Sequence, residues 1–307
     1  MTKLYLICGK GGVGKTTSAS AIALALANKG EKTLLLSTDF TPAIGDVLEI
    51  DIGPEFTKVG DYLTAMEMDH KTITERWVSK FGQDFHQILS RLIDIEKLDR
   101  ESENSLLEYI SSAPSLREET MLDFIVELSE NDNYDKIIWD SAPAGETLNL
   151  LNMPALLKKH LKSGTKIYDS LDKLTKFRSG KKSISKIIDE WTELSDYISR
   201  YIKNNAAFII VTNPERVVYN RTKDIYHTLL DYKMNVHGCI INKIFRDISD
   251  KTFKDQQNKA LNDIYNLFGK LPVAELEHSI HNVKSRQSLG NTGIKLIKEL
   301  QIKTFEE

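Results

Sequence analysis

The chain is 307 residues long, 41% apolar and 28% charged, with a formal net charge of -3. That length suits one large α/β domain or a core domain with a sizeable insertion, and so mild a charge demands neither nucleic acid nor an anionic membrane as partner. No apolar run approaches the roughly 18 residues of a spanning helix, and residues 1–8 run into a strand without room for a cleavable leader, so a cytoplasmic location is expected.

Leu4 to Cys8 read as a buried strand, and Gly9 to Thr16 matches G-x-x-x-x-G-K-[ST]. Ser18 to Lys29, rich in Ala and Leu, reads as the helix that follows. Glycines let a backbone curl round an anion and turn its N–H groups inward. Gly9, Lys10, Gly11, Gly12, Val13, Gly14, Lys15, Thr16 and Thr17 are therefore candidate nucleotide contacts. Lys15 supplies a point charge for the β- and γ-phosphates, and the Thr16 hydroxyl is the expected direct Mg²⁺ ligand. Lys10 is a second lysine that the motif does not need.

Thr33 to Ser37 is a short apolar run of parallel-strand type that delivers Asp39 at its carboxyl end. A carboxylate there can orient an attacking water or hold a magnesium-bound water; it can also simply cap a turn. Asp46 reads as a solvated or capping residue. From about 61 to 112 the texture becomes helical: Ile73, Trp77, Phe81, Phe85, Ile88, Leu92 and Ile95 recur at spacings of three and four. Leu106, Leu107 and Ile110 extend that pattern, and Met121, Leu122, Phe124, Ile125 and Leu128 form another face. The aromatic stripe reads as packed core.

Tyr134 to Asp140 is an apolar strand ending in aspartate, placed to organise Mg²⁺ through water. The small residues from Ser141 to Thr147 suit a segment that moves, with Gly145 able to present its N–H to a γ-phosphate. A second helical region covers about 155–204. It opens with the basic stretch Lys158–Lys186 and closes on the stripe Ile184, Ile187, Ile188, Trp191, Leu194, Ile198 and Ile202.

Residues 206–212 and 236–241 read as further strands, separated by a helix through 216–230. Asn242 follows the second; its amide can donate and accept together, as an adenine edge requires. Leu271 to Leu276 looks like a last strand and loop, with Pro272 and Val273 flanking the base. His278 and His281 lack a third ligand and do not establish a metal site. Gly290 and Gly293 are read as preceding a closing helix near 294–300. Cys8 and Cys239 lie in strand-like stretches and read as small buried hydrophobes; with no C-x-x-C, one chain builds no cysteine metal site.

The loop G-K-G-G-V-G-K-T-T, with Lys10 inside it, resembles the deviant phosphate loop of the nitrogenase iron protein, the ParA/MinD partitioning ATPases and the ArsA/Get3 group. Ser37-Thr38-Asp39, the run Asp140 to Thr147, Val211 to Glu215, Asn242 and Leu271 to Glu277 are similar to the ArsA/Get3 group in particular, and together they span the chain. The resemblance implies a P-loop NTPase with a mostly parallel sheet, 1–307 forming one domain with helical insertions at about 61–112 and 155–204. It implies a homodimeric, Mg²⁺-dependent ATPase in which Lys10 reaches the partner's ATP, Asp39 positions water and Asp140 binds Mg²⁺ through water. Closure on ATP would serve a client or membrane-associated partner protein. Ala43 and Glu146 stand where the group carries a polar residue and a histidine, and Asn220 stands near a glutamate that contacts the opposite nucleotide. Cysteines for an arsenite site or a zinc clasp have no counterpart, so neither is expected. Two other readings stay open: a nucleotide-gated binding module with little turnover, and a ParA/MinD-like ATPase on DNA, supported by the basic stretch alone.

Overall fold

The computed structural model describes residues 3–39, 41, 43–92, 114–142, 145, 147–152, 159, 183–247, 249–278 and 285–304. The chain divides into two compact units, one of Met1–Asp69, Leu128–Leu148 and Ile202–Glu307, the other of His70–Glu127 and Asn149–Tyr201. In chain order the first part runs β1 (Leu4–Gly9), α1 (Lys15–Asn28), β2 (Thr33–Ser37), α2 (Ile44–Leu48), β3 (Thr57–Lys58) and β4 (Leu63–Glu67). Next come α3 (His70–Leu92), α4 (Pro114–Glu130), β5 (Lys136–Asp140) and α5 (Ile184–Asn205). The chain ends with β6 (Ala206–Thr212), α6 (Arg216–Asp231), β7 (Asn235–Ile244), α7 (Lys251–Phe268), β8 (Val273–Glu277) and α8 (Arg286–Glu299).

All eight strands join one sheet in the order β3-β4-β2-β5-β1-β6-β7-β8. Every pairing is parallel except β3 with β4. Fully buried, largely apolar strands such as TLLLS and AAFIIVT are what a sheet covered on both faces selects. The chain leaves β1 toward β2 on one side, and leaves β6 toward β7 on the other. That divergence opens a crevice outside the carboxyl end of β1, where open α/β sheets keep their ligands. On one face Tyr5, Ile7, Leu35, Ile138, Ile209 and Ile240 pack with α1 and α8. α1 is buried along most of its length, which is why its alanines and leucines show no polar face.

Two sequence expectations are corrected in this unit. Residues 61–69 were expected to open a helical insertion, but Leu63–Glu67 is a strand paired with β2. The helical period counted from Ile73 does not extend back through them. Gly290 and Gly293 lie inside α8 rather than before it, because that helix is pressed against α1. A Cβ on Gly293 would meet the Ala21 carbonyl oxygen at 1.9 Å.

In the helical unit the aromatic stripe packs as core. Trp77 meets Phe85 edge-on at 5.6 Å, and Phe81 meets Trp191 at 6.0 Å. Ile88, Ile184, Ile187 and Ile188 form a cluster beside them. Residues 93–113 and most of 153–182, which carry Ile95, Leu106, Leu107, Ile110 and nearly all of the basic stretch, lie outside the described residues. Among the described residues no helix is long and apolar enough to cross a membrane.

Glu119 is buried in this unit and accepts a 2.6 Å hydrogen bond from the Ser195 hydroxyl. Burial pushes its carboxyl up to about 7; the Ser195 bond opposes the shift and the Asp123 charge adds to it. A folded-state value above the unfolded one means that the native state holds the extra proton. Its stabilising contribution is complete at pH values below the unfolded value and is lost as the pH rises through about 7. Glu119→Gln, which keeps an acceptor for Ser195, should therefore melt higher than the parent at pH 8, by about 2 kcal/mol, and match it near pH 4. Thermal denaturation at the two pH values checks this.

Candidate active site

Gly9 ends β1 level with Val211 of β6, and the loop that follows leads directly into α1. Gly14 caps that helix in the left-handed region, at φ 100°, with no side-chain acceptor on the first turn. The first N–H groups are thus left for an anion. A Cβ at Gly14 would be strained by that φ and would lie 2.3 Å from Asn242 Nδ2, so that side chain would have to move. Beside Gly11 and Gly12 a Cβ would meet nothing within 4 Å, which marks the open side of the loop.

The outward carbonyls of the loop are tied down. Lys243 Nζ donates to Gly12 O at 2.8 Å and Asn242 Nδ2 donates to Val13 O at 2.9 Å. Asn213, in the amide orientation that satisfies both its ends, reaches Val13 O at 3.3 Å. With those carbonyls held from the ends of β6 and β7, the loop's amides stay turned toward the phosphate side. Lys243 has φ 58°, a left-handed conformation that costs a non-glycine residue about 1 kcal/mol. It sits where the β7–β8 register shifts, and such irregularities re-aim side chains. Sequence reading missed Lys243; its place next to Asn242 was the only signal.

Lys15 is 7% exposed, and among the described residues no carboxylate lies within ion-pair distance of its ammonium. Asp140 is 1% exposed, and neither of its carboxylate oxygens has a hydrogen-bond partner at normal geometry. Burial pushes its carboxyl up to about 7. The Thr16 hydroxyl and Lys15 pull the other way from close by, while Asp39 and Glu67 push further up. The row across the sheet explains this company: Asp140 is level with Ile7 and Ser37, and Ser37 with Glu67. A buried ammonium with no carboxylate at ion-pair distance among the described residues, and a buried carboxylate with no hydrogen bond at normal geometry, fit phosphate oxygens and a hydrated divalent cation.

Asp39 is half-buried just beyond β2, and its Oδ1 accepts from Thr41 N at 3.1 Å. The turn-capping role considered for it is thus present. Thr38 is held between its neighbours, its N–H on Asp140 O at 3.0 Å and its hydroxyl accepting from Trp139 Nε1 at 2.9 Å. Ser141 anchors the following segment through Ile7 O, and Thr147 donates to Ala142 O at 2.8 Å. Glu146 lies outside the described residues. Lys10 is half-exposed and makes no hydrogen bond or ion pair with any described residue.

Of the candidate base-reading residues, Asn242 lies near the carboxyl end of β7, and Pro272 and Val273 lie at the start of β8. Asn242 already gives one N–H to Val13 and accepts from Lys243 N at 2.8 Å, so one N–H and one lone pair remain. Val273 opens β8, level with Cys239 and away from the carboxyl edge, and Pro272 precedes it. Pro272 O accepts from Cys239 N at 3.0 Å, and Gly238 packs on it. The carboxyl end of β8 is Glu277, followed by His278 stacked on Phe245 at 4.3 Å. Cys8 and Cys239 are both buried, and burial pushes the Cys8 thiol up to about 12. Neither is placed to react.

A mostly parallel sheet with a glycine-rich phosphate loop at the head of its central strand defines a P-loop nucleoside triphosphatase. Residues 2–298 match the ArsA ATPase family model, described as anion-transporting ATPase, and the chain belongs to that family. It is an ATPase. An Aquifex aeolicus protein, provisionally named arsenical pump-driving ATPase 2, is 28% identical over 94% of this chain and 96% of its own length. The ATPase ASNA1 homolog 2 of Paramecium tetraurelia is 27% identical over 98% of this chain and 94% of its own. The ASNA1 homolog of Dictyostelium discoideum is 25% identical over 99% and 91% respectively.

Proposed function

We propose that the protein hydrolyses ATP with Mg²⁺ as a nucleotide-gated homodimer, and that this cycle drives binding of a client or partner protein. The observation that carries the reading is the buried pair Lys15 and Asp140 beside one phosphate loop, with the Lys15 charge and the Thr16 hydroxyl close to a carboxylate whose oxygens make no hydrogen bond at normal geometry. The Lys15 ammonium would grip the β- and γ-phosphates, and the loop amides would hold them in register. Mg²⁺, taken by the Thr16 hydroxyl and through water by Asp140, would neutralise charge developing on the phosphate oxygens. Asp39, released from Thr41, would orient the attacking water. Lys10, half-exposed and unengaged among the described residues, is free to reach a nucleotide outside its own chain.

Mixing two inactive variants tests this. Lys10→Ala leaves a protomer with a sound loop, and Lys15→Ala leaves one with a sound Lys10. Each alone should lose at least about 100-fold in phosphate release. Combined, they should regain a measurable part of the parent rate, and only with Mg²⁺ present. A mixture as inactive as its components would reject the cross-subunit role. The Asp39–Thr41 hydrogen bond favours a second reading, a binding module that turns over little. Parent protein that binds ATP yet releases no phosphate at any concentration would select it.

A further inference from the structure

The segment that carries Asp39 does not hold itself in place. α2 is five residues long, and its capping position is Ala43, which has no side-chain acceptor. The missing acceptor comes from another strand. Glu67, last residue of β4 and 5% exposed, turns its Oε1 onto three consecutive amides. Ala43 N, Ile44 N and Gly45 N donate to it at 2.9, 2.5 and 3.2 Å. Three hydrogen bonds meet on this one oxygen, so withdrawing it leaves all three amides without their acceptor.

The other end of the segment is fixed by the sheet. Ser37 is level with Glu67, Met68 N donates to Ser37 O at 3.0 Å, and Asp39 N donates to the Ser37 hydroxyl at 3.2 Å. Asp39 therefore lies between two anchors, one in β2 and one supplied by Glu67. Removing the second frees the chain only a few residues from the carboxylate that would aim the water. A misplacement of about 1 Å at such a point costs about 100-fold in rate.

We propose that Glu67 is a positioning residue for hydrolysis: by fixing the amides of residues 43–45 it sets where Asp39 stands over the phosphate loop. The proposal rests on the reading of Asp39 as the water-orienting carboxylate. It gives the reach of the Glu67 oxygen the decisive part and its charge a minor one.

Two conservative variants separate reach from charge. Glu67→Gln keeps a carbonyl oxygen at the same distance without charge, and Glu67→Asp keeps the charge but withdraws it by one methylene. In the full chain with Mg²⁺, Glu67→Asp should lower kcat by about 10- to 100-fold while KM for ATP stays within about threefold. Glu67→Gln should stay within about fivefold of the parent in both. Hydrogen exchange at the amides of Ala43, Ile44 and Gly45 should accelerate in Glu67→Asp and remain slow in Glu67→Gln. The reverse ranking, with Glu67→Asp active and Glu67→Gln impaired, overturns the proposal, as does loss of ATP binding in step with kcat. Asp39→Ala tells the two inferences apart. If Asp39→Ala retains turnover, the underlying reading of Asp39 fails; if it is inactive while Glu67→Asp keeps the parent kcat, only the role of Glu67 fails.

Discussion

Asp140→Asn should lower phosphate release by at least about 100-fold and, in the same protein, raise the melting temperature of the metal-free, nucleotide-free form. The two effects share one cause. Asp140 sits at the end of β5 with 1% of its surface exposed and no hydrogen bond at normal geometry on either oxygen. Its neighbours on the row and beyond include Asp39 and Glu67, which repel its charge, against Lys15 and the Thr16 hydroxyl, which favour it. A carboxylate kept dry and only partly compensated weakens the resting protein, and removing such a charge at constant shape stabilises by about 1–3 kcal/mol. What the fold loses there, the site would use, because a divalent cation held through water needs that negative charge. Denaturation in the presence of a chelator and phosphate release with excess Mg²⁺ measure the two halves. A variant that melts lower than the parent, or keeps more than a tenth of its turnover, contradicts the placement.

The same pattern, an apolar run closing on an acid, made Asp140 legible in the sequence and was present at Glu67, where it went unread. Leu63-Thr64-Ala65-Met66-Glu67 is as much a strand ending in a carboxylate as Ile137-Ile138-Trp139-Asp140 is. The difference lay in what followed. Beyond Glu67 the strong helical period of α3 drew the whole stretch into one assignment, and a five-residue strand carries little periodicity against a 23-residue helix. The phosphate loop was legible because its chemistry is local: eight consecutive residues need particular types for backbone reasons. Lys243 was not, because its partner Gly12 is 231 positions away and its left-handed backbone leaves no trace in residue type. Leu271 to Leu276 reads as a last short strand and loop, and β8 is that strand; what residue type does not carry is its direction beside β7, where parallel pairing with Cys239 makes Val273 the strand's beginning.

Gly293→Ala should destabilise the protein by about 3 kcal/mol and raise KM for ATP, whereas Gly290→Ala, three residues earlier on the same helix, should be neutral or slightly stabilising. Sequence alone gives these two glycines one meaning, that of small residues near a helix; their surroundings give them different ones. A Cβ on Gly290 would meet Asn28 Nδ2 at 3.4 Å and Leu24 Cδ2 at 3.8 Å, both side-chain atoms, at near-ordinary contact. Replacing it therefore gains most of the helix propensity that glycine lacks, up to about 1 kcal/mol. A Cβ on Gly293 would meet the Ala21 carbonyl oxygen at 1.9 Å, the Ala21 carbonyl carbon at 2.6 Å and Ala25 Cβ at 2.8 Å. Those atoms belong to the backbone of α1 and to a side chain with no rotamer to change, so α1 and α8 must separate. That separation reaches the active site because Ala21 lies six residues, about 9 Å, along a rigid helix from Lys15. A shift of α1 carries Lys15 and Thr16 with it while Lys243 and Asn242 keep the loop carbonyls where they were, so the loop amides and the buried ammonium lose their common register. Paired measurements of melting temperature and KM on the two variants decide the matter. Equal effects at both positions would mean that α8 yields freely, and that α1 is not the rigid support on which this loop depends.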